Sequence, residues 1–193
     1  MRMSRTAAHV LSIISLAAAP AAAQQGALDV GDVAPVFEAR ADDGTLWRSP
    51  EHVGERILVV YFYPAAMTSG CTAQACAFRD NRTRLEELGA TVVGVSGDRV
   101  ENLQLFKQSN RLNFPLLSDP DGAVARAFGV PLRAGGTISR NVDGRDVELT
   151  RDVTAARWTF IIGRDGRILF RETEVDAEGD SEAVIQVIRR LTG

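Results

Sequence analysis

The run Ile57-Leu58-Val59-Val60-Tyr61-Phe62-Tyr63, followed by Pro64-Ala65-Ala66-Met67-Thr68-Ser69-Gly70-Cys71, decides how this chain is read. A continuous apolar run rich in β-branched and aromatic residues has no polar face, the pattern of a central strand buried on both sides of a sheet. Pro64 stops it. Beyond the loop, Ala75, Phe78, Leu85 and Leu88 recur at near-helical spacing, and Gly89 sits where a helix C-cap is expected. A helix is therefore predicted to begin around Cys71. Residues 91–96 read as a second buried strand, and Asp98-Arg99-Val100-Glu101 has the spacing of a capping box for a helix to about Ser109. Upstream, residues 36–40 and 45–47 flank the turn dipeptide Asp43-Gly44, which predicts an N-terminal β-hairpin. Downstream, residues 158–162 and 167–170 flank Asp165-Gly166 as another hairpin. Ser181 is expected to cap a closing helix with Val184, Ile185, Ile188 and Leu191 on its apolar face. The order predicts an α/β fold, a central mixed β-sheet flanked by helices.

The first residues have a different logic. Arg2 and Arg5 precede an apolar stretch over residues 7–19, and Pro20-Ala21-Ala22-Ala23 follows. That is the three-part order of a signal peptide, too short for the ~20 residues of a membrane span. Cleavage is expected after Ala23, with export to the bacterial periplasm. A single domain over 24–193 remains, and no membrane association is expected after cleavage. Losing two arginines and no acid takes the net charge from −3 to −5, which argues against nucleic acid as a partner.

Two cysteines exist, Cys71 and Cys76. In an exported protein they are free to pair, but so short a loop gives little entropic stabilisation. Cys71 lies where the strand gives way to a helix, facing backbone N–H groups without intrahelical partners, a position that favours thiolate. A free cysteine is already about 3% ionised at neutral pH, so complete ionisation gains only ~30-fold. The rest must come from donors aimed at the charge that develops on a leaving oxygen. Thr68, the N–H groups of Gly70 and Cys71, and an arginine are the candidates. His52 is the only histidine after the signal segment and reads as a surface residue, so activation by arginine is favoured over a Cys/His dyad.

The string Phe62-Tyr63-Pro64 through Thr68-Ser69-Gly70-Cys71-Thr72-Ala73-Gln74-Ala75-Cys76-Ala77-Phe78-Arg79-Asp80 closely resembles the peroxiredoxin Q group, also called bacterioferritin comigratory protein. The likeness extends through Gly94-Val95-Ser96, Phe114 to Asp119, Phe128 to Pro131 and Arg157 to Ile162. The resemblance implies a thioredoxin-like fold and a thiol-dependent peroxidase acting on hydrogen peroxide and organic hydroperoxides. It implies Cys71 as the peroxidatic cysteine, Thr68 and Arg157 as its polar partners, and Pro64 as a shield of the substrate pocket beside Gly70. Cys76 is implied as the resolving cysteine, forming an intramolecular disulfide that a thioredoxin-like reductant reopens. No metal, flavin or haem cofactor is implied, and a monomer is expected.

Three departures stand out. Ser69 occupies a place where many relatives have proline, leaving the loop less constrained. Gln74 replaces a common glutamate, although some members of the group share the glutamine. The chain is also longer than expected between Pro131 and Arg157, where residues 137–150 read as an inserted hairpin turning at Asp143-Gly144. That insertion either covers the pocket, forms an interface or only connects elements. Competing readings of the cysteines are an exported copper(I)-binding chaperone, a disulfide oxidoreductase and a redox sensor with slow turnover. Copper carriers use closer cysteines and a late histidine, and no histidine follows Cys76. Disulfide oxidoreductases prefer C-x-x-C.

Overall fold

In the computed structural model, which describes residues 28–142 and 144–192, strand β3 (Ile57–Phe62) is buried along its whole length at the centre of a seven-stranded sheet. The expected signal peptide and its cleavage point lie outside the described residues. Ile57, Val59 and Tyr61 enter one core, while Leu58, Val60 and Phe62 enter the other. Covered on both faces, the strand has no position for a polar side chain, which is why its sequence does not alternate.

The sheet order is β2-β1-β5-β4-β3-β8-β9, with β1 (Glu38–Ala41), β2 (Leu46–Arg48), β4 (Ala90–Ser96), β5 (Leu116–Ser118), β8 (Trp158–Ile162) and β9 (Ile168–Glu172). Strands β3, β4 and β5 run parallel, and both flanks add antiparallel pairs. This is the mixed sheet of a thioredoxin-like fold. Helices α1 (Ser69–Asp80), α2 (Arg82–Glu87), α3 (Val100–Asn110) and α5 (Asp180–Thr192) cover one face through Phe78, Leu85, Phe106, Val184 and Ile188. Helix α4 (Ala123–Ala127) packs Val124 and Ala125 on the other, beside Phe37 and Trp47. Each such large apolar side chain contributes about 1.5–3 kcal/mol by leaving water.

Four expectations are corrected. The helix starts at Ser69, and Asn81 breaks it between α1 and α2. The Asn81 side chain donates to Ser181 Oγ at 2.9 Å and accepts from Arg84 at 2.8 Å, bonds that draw it out of a continuous helix. Asp98 does not cap α3, whose N-cap is Arg99; it turns inward and is fully buried. Ser181 does not cap α5 either, because that helix begins at Asp180 and the Ser181 hydroxyl meets Asn81. His52 is half-buried, stacked on Trp47 with ring centroids 4.5 Å apart, because the indole offers its flat imidazole a face.

The insertion forms its own two-stranded sheet of β6 (Leu132–Val142) and β7 (Arg145–Ala155), extending well beyond 137–150. Its root contains Gly135 and Gly136, residues of low strand propensity, so the sequence hides the pairing. Close packing imposes it: a Cβ on Gly97 would lie 2.2 Å from the Val153 carbonyl oxygen, and one on Gly135 2.1 Å from that of Arg151. No helix among the described residues is long and apolar enough to cross a membrane.

Candidate active site

Strand β3 delivers the chain to a loop over residues 63–68, and α1 then carries Cys71 as its third residue. The Cys71 thiol is 1% exposed, and Cys76 is half-buried on the same helix; both are free. Five residues of helix place the two Cα atoms ~8.7 Å apart. A disulfide tolerates about 7 Å at most. The pair can close only if the first turns of α1 unwind.

Arg157, in the link between β7 and β8, reaches both partners of the site with one fork. Its Nη2 donates to Cys71 Sγ at 3.4 Å and its Nη1 to Gln74 Oε1 at 2.5 Å. Gln74 in turn donates through Nε2 to Asp180 Oδ2 at 2.6 Å, and the Thr159 hydroxyl donates to the same oxygen at 2.8 Å. Gln74, Thr159 and Asp180 are buried, so this chain of bonds runs through a low-dielectric interior where every member is satisfied. Burial pushes the Asp180 carboxyl above its ordinary value, against the pull of the Gln74 and Thr159 donors. Because the carboxylate only accepts, the glutamine must turn its amide nitrogen inward and leave its oxygen for Arg157. Burial likewise raises Tyr61 far above the usual phenol value, so the ring that stacks on Phe78 and Tyr63 stays neutral.

The other predicted residues are placed as follows. Thr68 occupies the N-cap of α1, but its hydroxyl donates back to the Ala65 carbonyl at 2.9 Å and makes no capping bond. Its carbonyl accepts the first helical bond, from Thr72 at 2.8 Å. Gly70 is half-buried, and a Cβ there would stand 3.4 Å from Arg157 Nη2. Pro64 is half-buried, two residues past the end of β3. The loop itself is unusual: Met67 has φ +62°, its carbonyl accepts from Arg140 Nε at 2.9 Å, and the preceding Ala66 N–H donates to Asp98 Oδ2 at 2.8 Å.

Sequence reasoning missed Asp180, Thr159, Asp98, Arg140 and Arg151 as neighbours of the site. No local pattern marks them. Asp98 sits where an acid before a helix reads as a cap, Asp180 stands next to Ser181, which was read as the cap of the closing helix, and the arginines lie on the hairpin.

Residues 30–171 match the AhpC/TSA family. The chain is 48% identical over 141 residues to peroxiredoxin Bcp of Escherichia coli, covering 73% of this chain and 83% of that one. Among solved structures it resembles peroxidoxin BcpB of Mycobacterium tuberculosis, with a TM-score of 0.70 and 33% identity over 85% of this chain and 98% of that one. It is also similar to the bacterioferritin comigratory protein of Xanthomonas campestris, described for its alkyl peroxide reduction activity. There the TM-score is 0.67 and the identity 28%, over 81% of this chain and 92% of that one. The thioredoxin-like sheet, the thiol set at its helix and these matches agree: the chain belongs to the AhpC/TSA family and is a peroxiredoxin of the Bcp and peroxiredoxin Q group.

Proposed function

We propose that the mature protein is an exported thiol peroxidase in which Cys71 attacks a hydroperoxide and Cys76 resolves the product. One observation carries this reading: the Arg157 fork bridges Cys71 Sγ and Gln74 at the start of α1. The Cys71 thiolate attacks the distal peroxide oxygen, forming an S–O bond as the O–O bond breaks. The leaving alkoxide or hydroxide takes a proton and departs as alcohol or water. Arg157 and the free N–H groups of Gly70 and Cys71 stabilise charge on the departing oxygen. Thr68 joins them once its hydroxyl turns from Ala65, and Pro64 shields the pocket. The Cys76 thiol then condenses with the Cys71 sulfenic acid, releasing water as α1 unwinds. A thioredoxin-like dithiol exchanges with the disulfide, leaving two thiols here and a disulfide on itself.

Hydrogen peroxide and organic hydroperoxides are the proposed substrates, the second class supported by the description of the Xanthomonas relative. The signal segment supports a periplasmic protein made of one domain, residues 24–193, and both cysteines in one chain support a monomer. The test is to add one equivalent of hydrogen peroxide to the reduced mature protein and follow thiol loss beside Cys71→Ser and Cys76→Ser variants. Rapid loss of both thiols is expected, abolished by Cys71→Ser and arrested at sulfenic acid by Cys76→Ser. Loss at the rate of an ordinary thiol would sink the proposal.

A further inference from the structure

The hairpin β6–β7 contributes nothing to the chemistry above, yet it grips the loop before Cys71 from two strands. From β6, Arg140 donates to the Met67 carbonyl through Nε and to the Ser139 carbonyl through Nη1 at 2.8 Å, which fixes the plane of the guanidinium. From β7, Arg151 is 6% exposed and donates through Nε to Asp98 Oδ1 at 3.2 Å. The other Asp98 oxygen accepts from the Ala66 N–H and from Ser96 Oγ at 3.0 Å. The Met67 carbonyl is thus tied to the hairpin directly, and the Ala66 N–H through Asp98. The hairpin is itself well seated: Asn102 donates to the Thr150 carbonyl at 3.0 Å, Leu149 is buried, and Val153 presses on Gly97.

Met67 explains why a grip is needed. A non-glycine residue in the left-handed region costs about 1–3 kcal/mol and persists only where its surroundings over-determine it. Serine at position 69 supplies no ring to stiffen the loop. The same loop must move when α1 unwinds, because the first helical bond joins Thr72 to Thr68, the residue after Met67.

Resting on the peroxidase reading, we propose that Arg140 and the Arg151–Asp98 pair are positioning residues, through which the hairpin holds the Cys71 loop folded and sets how fast the sulfenic acid becomes the disulfide. While the loop stays folded, a second peroxide competes. The sulfenate then takes an oxygen from hydrogen peroxide and becomes sulfinate, with water as the other product. A firm brace therefore favours attack on the first peroxide and exposes Cys71 to the second.

The experiment uses the mature protein with Arg140→Ala and Arg140→Lys, since Arg140 is only half-buried and its loss leaves the core intact. In the reduced state, amide exchange over residues 66–76 is expected to quicken roughly 10- to 150-fold in Arg140→Ala, as for the loss of one charge-assisted hydrogen bond, and partly recover in Arg140→Lys. In stopped flow, the disulfide-forming phase is expected to quicken by a similar factor, with less sulfinate at excess peroxide. Unchanged exchange overturns the brace whatever the protein does with peroxide. Faster exchange with an unchanged or slower disulfide phase overturns the kinetic role. Slow first-phase attack in the wild type is a failure of the peroxidase reading; it overturns the kinetic role too, and exchange alone then decides the brace.

Discussion

Arg157 is the residue on which the proposed site turns, because one planar cation meets both the Cys71 thiol and the buried Gln74 amide. Lysine has no such fork. Replacing Arg157 by methionine keeps much of the volume but removes the donor at Cys71 Sγ, and on the proposed mechanism the second-order rate constant for peroxide is expected to fall roughly 10²- to 10³-fold. Gln74 Oε1 is then left buried without a donor, which costs about 1–3 kcal/mol of stability. Stopped-flow oxidation beside urea unfolding separates the two effects, and a rate within fivefold of wild type would remove Arg157 from the transition state. The place of Cys71 after the strand was legible in the sequence and marked it as the candidate nucleophile, whereas Arg157 was one arginine among many until the family resemblance singled it out. Asp180 was not legible at all. It meets Gln74 across 106 positions of sequence, and contacts of that separation leave no periodic trace.

At the scale of elements, the proposed mechanism asks the first turns of α1 to serve two incompatible ends. Folded, they hold Cys71 against Arg157 and bury Gln74 and Ala75; closed as a disulfide, they cannot remain helical. Oxidation by one equivalent of peroxide is expected to lower the far-ultraviolet helical signal by about two turns and to restore it on reduction. Cys76→Ser should show no such loss. A disulfide that forms with the helical signal intact would mean the cysteines pair between molecules. The sequence announced this helix by its apolar spacing but not its break, since Asn81 leaves the helix for a partner on α5. The inserted hairpin was half legible for a related reason. Residues 137–150 read as a hairpin turning at Asp143-Gly144, while the glycine-rich root carries no strand signal and lies where β7 presses on Gly97. The β3 run, by contrast, was fully legible, because burial on both faces writes itself into every position.

Over the whole molecule, the sheet divides the interior into two cores, and each holds a buried carboxyl at the start of a helix. Asp180 opens α5 on one side; Asp119 accepts from the Val124 and Ala125 amides of α4 at 3.0 and 2.9 Å on the other. Burial raises both above the ordinary value of 3.8. Between that value and the raised one, the native protein binds more protons than the unfolded chain. Each group therefore subtracts stability as pH rises through the window, and nothing further above it. Exposed Glu182, held at about 2 by Arg84, has the opposite sign and a lower window. Asp180→Asn isolates one contribution, because asparagine can still accept from Gln74 and Thr159 and the other groups cancel in the comparison. The unfolding free energy of the wild type minus that of Asp180→Asn is expected to fall as pH rises from near 3.8 and then level, read by urea unfolding across the series. A difference that instead grows with pH would mean that Gln74, Thr159 and Arg157 together stabilise the carboxylate more than burial penalises it. Asp180 would then be a group that holds the closing helix to the active site through its charge.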